Sequence, residues 1–271
     1  MTSWKLLPSI AIALITTFSN YSNVSATELT EIIERGKLIV AVKDNIRPLG
    51  FTDSQGDLTG LEIDIARRLA KDILGATGEV VLQPVTNQER LKVVIDEEVD
   101  IAIARVSDTP SRRRIVDLSA YYYLDGTGIV TKDVTVANAS GLTTGKIAVL
   151  YDSTTIPVIR DRLPDAQLIG VKSYQEALAL LENNQADAFA ADISVLTGWI
   201  QEYPEYKLLP ERLSGAALCI VMPKGLQYTD LHLAVEQAIL NWRKSGWLQE
   251  RIKYWGLPYS VINPVKSLSF E

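Results

Sequence analysis

The chain has 271 residues, 47% of them hydrophobic and 22% charged, which suits a globular protein with a sizeable core in one large or two ordinary domains. Its net charge of −6 and isoelectric point near 5.0 exclude a nucleic-acid phosphate backbone as partner. With a single histidine and a single cysteine there is no material for a His/Cys zinc site or an internal disulfide.

The first residues read as an export signal. Lys5 gives a short positive start, residues 6–18 are apolar but too short and interrupted to span a bilayer, and Val24-Ser25-Ala26 suits signal-peptidase cleavage. Residues 1–26 are therefore expected to be removed, leaving a soluble protein exported to the periplasm. Next, Leu38-Ile39-Val40-Ala41-Val42 is a continuous apolar run with β-branched members, the pattern of a strand buried on both faces. After a turn region, Leu61, Ile65, Ala66, Leu69, Ala70 and Ile73 recur at helical spacing. Glu62 and Asp64 fall in that helix's first turn, where its dipole accounts for them. A short strand over 80–82, a helix over 89–95 and a third strand over 99–104 follow. Alternating strands and helices predict parallel α/β sheets, whose ligands sit beyond the carboxyl ends of the strands.

Two segments end on such a rim: Lys43-Asp44, and Ser107-Asp108-Thr109-Pro110-Ser111-Arg112. The second reads as a loop offering hydroxyls, backbone N–H groups and a planar guanidinium fork, the parts of a carboxylate receptor. The plan then repeats. Gly36-Lys37-Leu38-Ile39-Val40 is echoed by Gly145-Lys146-Ile147-Ala148-Val149, and residues 91–107 align without gaps on 178–194, pairing Asp100 with Asp187. Two lobes on one plan are expected: 27–124 with 219–271, and 125–218. The chain crosses between them near Gly126 and returns near 216–221, giving a two-strand hinge. Cys219 in the return strand reads as a small core residue. Leu231, Val235, Ile239 and Trp242 mark a helix capped by Thr229 or Asp230, His232 is a surface residue on it, and Ile252, Tyr254 and Trp255 mark another helix.

Taken together, these blocks resemble the extracytoplasmic solute-binding proteins of polar amino-acid ABC transporters, family 3. The resemblance rests on Gly36-Lys37-Leu38-Ile39-Val40-Ala41-Val42 and on Gly56-Asp57-Leu58-Thr59-Gly60-Leu61-Glu62-Ile63-Asp64-Ile65-Ala66. Val99-Asp100-Ile101-Ala102 follows, with Ser107, Thr109 and Arg112 similar to a Thr-x-Thr-x-x-Arg signature. Leu118-Ser119, Tyr122-Tyr123, Ala186-Asp187-Ala188 and Tyr254-Trp255-Gly256 complete it. The resemblance implies a type II periplasmic-binding-protein-like α/β fold, with two parallel-type sheets flanked by helices and joined by a two-strand hinge. It implies no cofactor, no metal and no catalytic residue. The implied partners are a free amino acid and a membrane permease, with the protein itself a monomer.

By position, the resemblance puts Arg112 on the ligand α-carboxylate with the hydroxyls of Ser107 and Thr109 beside it. Thr154 would donate from the opposite wall, and Asp192 would receive the α-ammonium. Because Arg112 and Asp192 belong to different lobes, a ligand makes all its bonds only when the lobes close. Lys43 falls where relatives choose a charge to match the ligand side chain, and Arg105 where many have glycine. Ile46 and Asn87 fall where others place aromatic rings. An acidic or small neutral polar L-amino acid is therefore expected. The alternatives are a cyclohexadienyl or arogenate dehydratase on the same fold, which would need a general acid aimed at a leaving hydroxyl, and a ligand-sensing adaptor.

Overall fold

The computed structural model describes residues 28–259. The expected signal segment 1–26 and residues 260–271 lie outside them. In the first lobe the chain runs α1 (Leu29–Arg35), β1 (Lys37–Val42), β2 (Asn45–Ile46), β3 (Gly50–Thr52), β4 (Leu58–Thr59), α2 (Leu61–Leu74), β5 (Glu79–Pro84), α3 (Glu89–Ile95), β6 (Ile101–Ser107), α4 (Pro110–Arg113) and β7 (Asp117–Asp125). The second lobe carries β8 (Thr127–Thr131), β9 (Lys146–Leu150), α5 (Thr155–Arg162), β10 (Gln167–Val171), α6 (Tyr174–Glu182), β11 (Ala188–Asp192), α7 (Ile193–Glu202) and β12 (Lys207–Leu208). The chain then returns through β13 (Ala216–Met222) to α8 (Thr229–Ser245) and α9 (Trp247–Tyr254).

The two main sheets have equivalent orders, β5-β1-β6-β13-β7 and β10-β9-β11-β8-β12. In each, the first three strands are parallel and the fourth runs against them. The sheets are thus mixed rather than parallel throughout, because the strands carrying the chain across the hinge, β8 and β13, enter from the opposite direction. The strand runs are buried on both faces. Leu38, Val40 and Val42 pack with α2, α8 and α9, while Ile39 and Ala41 pack on the other side with Val93 and Val94 of α3. The second sheet divides in the same way, with Ile147 and Val149 on one face and Ala148 on the other.

The internal repeat has a physical task. Asp100 takes the Ile39 N–H on its carboxylate at 2.7 Å and donates its own N–H to the Ile39 carbonyl at 3.0 Å. Asp187 does the same with Lys146, at 2.7 and 2.8 Å. Each aspartate locks the third strand of its lobe to the first at the edge where the ladder begins. In the first lobe Arg35 also pairs with Asp100 at 2.5 Å.

The hinge is narrow. Asp125 ends β7 and Thr127 starts β8, with Gly126 between them lying so close to the returning segment that a Cβ would sit 2.0 Å from the Ser214 carbonyl oxygen. The Thr127 amide donates to the Ser214 hydroxyl at 3.0 Å, and the Leu213 amide to the Thr127 carbonyl at 2.9 Å, so the two crossings are stitched together. Buried Asp125 accepts from the amides of Gly126 and Ser194 and from the Ser194 hydroxyl, tying the hinge to the start of α7.

Several local expectations change. The third strand runs on to Ser107 because it pairs with Leu218 and Cys219 of β13, so the segment 107–112 is a strand end followed by a single helical turn, not an open loop. Helix α8 has no side-chain cap; Thr229 instead donates its hydroxyl to the Leu226 carbonyl at 2.7 Å. Cys219 is buried in the core and His232 stands on the surface beside Glu236. Among the described residues no helix is long and apolar enough to cross a membrane.

Candidate functional site

Between the lobes lies a cavity of about 800 Å³. From the first lobe it is lined by the segments after β1 (Lys43, Asp44, Asn45, Ile46, Arg47) and after β5 (Val85 to Glu89), and by Arg105 of β6. From the second it is lined by Tyr174, Gln175 and Leu178 of α6 and by Val195, Gly198, Trp199, Glu202 and Tyr203 on and after α7. The first wall is made at and beyond the carboxyl ends of the parallel strands β1, β5 and β6, where this architecture leaves side chains and backbone free to face a ligand, and the second by the helices that follow β10 and β11.

The lobes touch across this cleft. The Arg105 guanidinium pairs with the Asp192 carboxylate, joining the end of β6 to the end of β11. Gly198 lets the second lobe approach, since a Cβ there would meet the Arg47 carbonyl oxygen at 2.3 Å. Gln201 donates to the Trp255 carbonyl at 2.9 Å.

The first wall is built from the sequence upward. Gly60 has φ 126 and room for no Cβ, which would lie 2.2 Å from the Leu49 carbonyl oxygen. The close turn allows the carbonyls of Pro48 and Leu49 to accept from the amides of Leu61 and Glu62 at 3.0 and 2.8 Å, satisfying the first turn of α2. Glu62 is thereby fixed in the core beneath the end of β6. Its Oε1 accepts from the Tyr122 hydroxyl at 2.5 Å and from the Arg105 amide at 2.7 Å, while Oε2 is buried with no hydrogen-bond partner among the described residues. Burial pushes the Glu62 carboxyl up to about 7 against the opposing effect of those two hydrogen bonds. From the other side, Arg90 donates to the carbonyls of Ala104 at 2.9 Å and Arg105 at 2.6 Å. Burial, then the neighbouring Arg112 and Arg105, push the Arg90 guanidinium down to about 10.

Of the residues expected to bind, Arg112, Ser107 and Thr109 come together. Thr109 caps the single turn of α4, accepting from the Arg112 amide at 3.3 Å, with Pro110 at the first helical position. The Arg112 guanidinium folds back onto the Ser107 carbonyl and hydroxyl, each at 2.6 Å. Burial and the nearby Arg105 lower its pKa. Lys43 and Arg105 line the cavity; Ser107, Thr109, Arg112, Thr154 and Asp192 lie outside its lining, Asp192 being joined to it through Arg105. Lys43 is buried rather than solvated, its ammonium donating to the Val85 carbonyl at 2.5 Å, and burial lowers its pKa. Thr154 stands exposed just ahead of α5.

Sequence reasoning missed four features. Ile46 and Asn87 do line the cavity, but the opposite wall supplies Tyr174, Trp199 and Tyr203, with the Trp199 ring tilted against Phe189 at 5.1 Å and Tyr203 at 5.5 Å. The polar first wall therefore faces an aromatic one. Arg47 lies over the Phe51 ring at 3.8 Å and adds a third cation to the lining. Arg90 and Glu62 hold the backbone at Arg105, a task that the helix dipole invoked for Glu62 does not suggest. Thr86 and Glu89 form a capping box at the start of α3, the Thr86 amide donating to the carboxylate at 2.8 Å, so Glu89 is already engaged.

Comparison with known proteins agrees with this architecture. A glutamine-binding protein of Geobacillus stearothermophilus is 31% identical over 231 residues, covering 78% of this chain and 88% of that protein. The L-cystine-binding protein TcyJ of Escherichia coli K12 is 25% identical over 257 residues, covering 92% and 94%. Among solved structures, an ancestral cationic amino acid solute binding protein superposes with a TM-score of 0.74 at 25% identity, over 84% of this chain and 98% of that one. The model of the bacterial extracellular solute-binding proteins, family 3, matches residues 38–258, and the chain belongs to that family.

Proposed function

We propose that this protein captures a free polar L-amino acid, acidic or small neutral, in the cleft between its lobes and delivers it to the permease of an ABC transporter. In this reading the protein works in the periplasm as a monomer, after removal of its signal near Ala26. The observation that carries the reading is the interlobe cavity with Lys43, Arg47 and Arg105 on its first wall, and with Arg112 bonded to Ser107 at the end of the strand that carries Arg105. The names of the glutamine- and cystine-binding relatives support an amino acid as the ligand.

Arg112, with Ser107 and Thr109, takes the α-carboxylate; Asp192 takes the ammonium; Thr154 donates from the second lobe; Lys43 and Arg105 read the side chain. Charge-assisted hydrogen bonds contribute roughly 1.5–3 kcal/mol each, so three or four suffice for the ~8 kcal/mol of a micromolar site. The proposed lobes are 27–124 with 219–271, and 125–218. In support, sheet membership changes at Gly126 and again between Leu208 and Ala216.

Calorimetry with a panel of L-amino acids tests the reading. Micromolar binding of glutamate, aspartate or a small neutral amino acid is expected, and tight lysine or arginine binding with no response to these refutes it. The reading is of binding without turnover. Incubation with prephenate or arogenate is expected to yield no phenylpyruvate or phenylalanine, and either product would make the protein an enzyme.

A further inference from the structure

Arg105 sits in a backbone conformation that a non-glycine residue rarely takes, with φ 52. Such a conformation costs roughly 1–3 kcal/mol and persists where surrounding groups over-determine it. They do so here. The Glu62 carboxylate holds the Arg105 amide, the Arg90 guanidinium holds the carbonyls of Ala104 and Arg105, and Tyr122 holds Glu62. The backbone is clamped from both sides while the side chain reaches over the cleft to Asp192 on the other lobe. Both partners are largely withdrawn from water, with side chains 19% and 28% exposed, so this is not a screened surface pair.

We infer that Arg105 is a tethered stand-in for the ligand's ammonium and thereby sets the charge of the ligand. The inference rests on the amino-acid reading above, with Asp192 as the ammonium acceptor. An incoming ammonium has to take Asp192 from Arg105. The displaced guanidinium then stands beside Arg90 and Arg112, whose pKa values it already lowers, with its own counter-charge gone. A ligand with a neutral side chain leaves that cation unpaired. One with a cationic side chain adds another. An L-amino acid with a side-chain carboxylate restores every pair at once: α-carboxylate on Arg112, ammonium on Asp192, side-chain carboxylate on Arg105. Lys43 is a weaker candidate for that last role, because its ammonium is buried and committed to the Val85 carbonyl. Selection for acidic ligands thus comes from an exchange of ion pairs, with Arg105 penalising every ligand that cannot take over its charge.

The test is Arg105→Gly, which suits φ 52 and removes the charge, alongside Arg105→Asn, an uncharged side chain that also tolerates this conformation. Calorimetry with L-glutamate and L-glutamine is run on the wild type and both variants. The wild type is expected to favour glutamate. Both variants are expected to lose about tenfold or more in glutamate affinity, the size of one charge-assisted hydrogen bond, and to gain glutamine affinity as the competitor disappears. The preference then inverts. A wild type that binds glutamate, with variants keeping its glutamate-to-glutamine ratio, overturns the exchange while leaving amino-acid capture standing. A wild type that binds no amino acid overturns the underlying reading, and the exchange with it.

Discussion

Glu62→Gln isolates the buried carboxyl that holds the first wall. An ordinary glutamate titrates near 4.5, whereas burial raises Glu62 to about 7. The folded protein therefore holds this proton more tightly than the unfolded chain does, and between those two pH values the native state binds more protons. Stability from this group is then fully present below pH 4.5 and is lost as pH rises through 7. At 1.36 kcal/mol per tenfold step, the loss is on the order of 3 kcal/mol. Glutamine keeps an oxygen for the Tyr122 hydroxyl and the Arg105 amide but does not titrate. Urea unfolding of both proteins at pH 5, 6, 7 and 8 is the assay. The wild type is expected to lose about 2–3 kcal/mol of this relative to the variant between pH 5 and 8, or roughly 4–12 °C in melting temperature. Parallel pH profiles for the two proteins would refute the claim that burial raises the Glu62 pKa.

Other variants test the remaining parts. Arg112→Met is expected to weaken every amino-acid ligand by about 100-fold or more through loss of charge-assisted bonds to the common carboxylate, and calorimetry showing loss for only some ligands would contradict that role. Lys43→Ala removes a cavity cation bonded to Val85 and is expected to alter the ranking of ligands, so a uniform loss across the panel would count against it. Gly198→Ala would put a methyl group 2.3 Å from the Arg47 carbonyl, so calorimetry should show about tenfold or more lost affinity with an unchanged ligand-free melting temperature. Asp187→Ala and Asp100→Ala are each expected to destabilise the protein by about 1–3 kcal/mol in urea, since each aspartate takes a strand amide at 2.7 Å that alanine cannot accept; a neutral effect at either would break the equivalence of the lobes.

Much of the fold is legible in the sequence because its strands are buried on both faces. Leu38-Ile39-Val40-Ala41-Val42 needs no alternation, and its unbroken apolar run reports two covered faces at once. The repeat is legible for a related reason: Asp100 and Asp187 perform the same backbone task in each lobe, so the same residue recurs at the same place. The end of β6 is harder. Val106-Ser107 carries no strand signal of its own and is held extended by pairing with β13, more than a hundred residues away. Thr109-Pro110 carries a helix-start signal, a capping hydroxyl followed by proline at the first helical position, within a stretch whose polar composition also suits a loop.

The site shows the same divide. Arg112 and Ser107 are close in sequence and could be grouped by reading it. Glu62 was explained by the helix dipole, an adequate local account that conceals its contacts with Tyr122 and Arg105. Asp64, in the same turn, accepts from the Trp255 indole at 2.9 Å and so anchors α9 rather than facing a ligand. Trp199 and Tyr203 lie on and just after the apolar helix α7, and only the meeting of the lobes makes them a wall opposite Ile46 and Asn87. The reach of Arg105 to Asp192 likewise depends on a left-handed backbone conformation that no local pattern announces.

The account depends most on two hinged halves closing over an amino acid. Spin labels at Lys71→Cys and Arg160→Cys, exposed positions on opposite lobes, read that motion directly as an interlobe distance distribution. Without ligand the distribution is expected to include separations longer than the closed one. Saturating the ligand found by calorimetry should collapse it to a single short distance. A distribution unchanged by every L-amino acid tried would contradict the account.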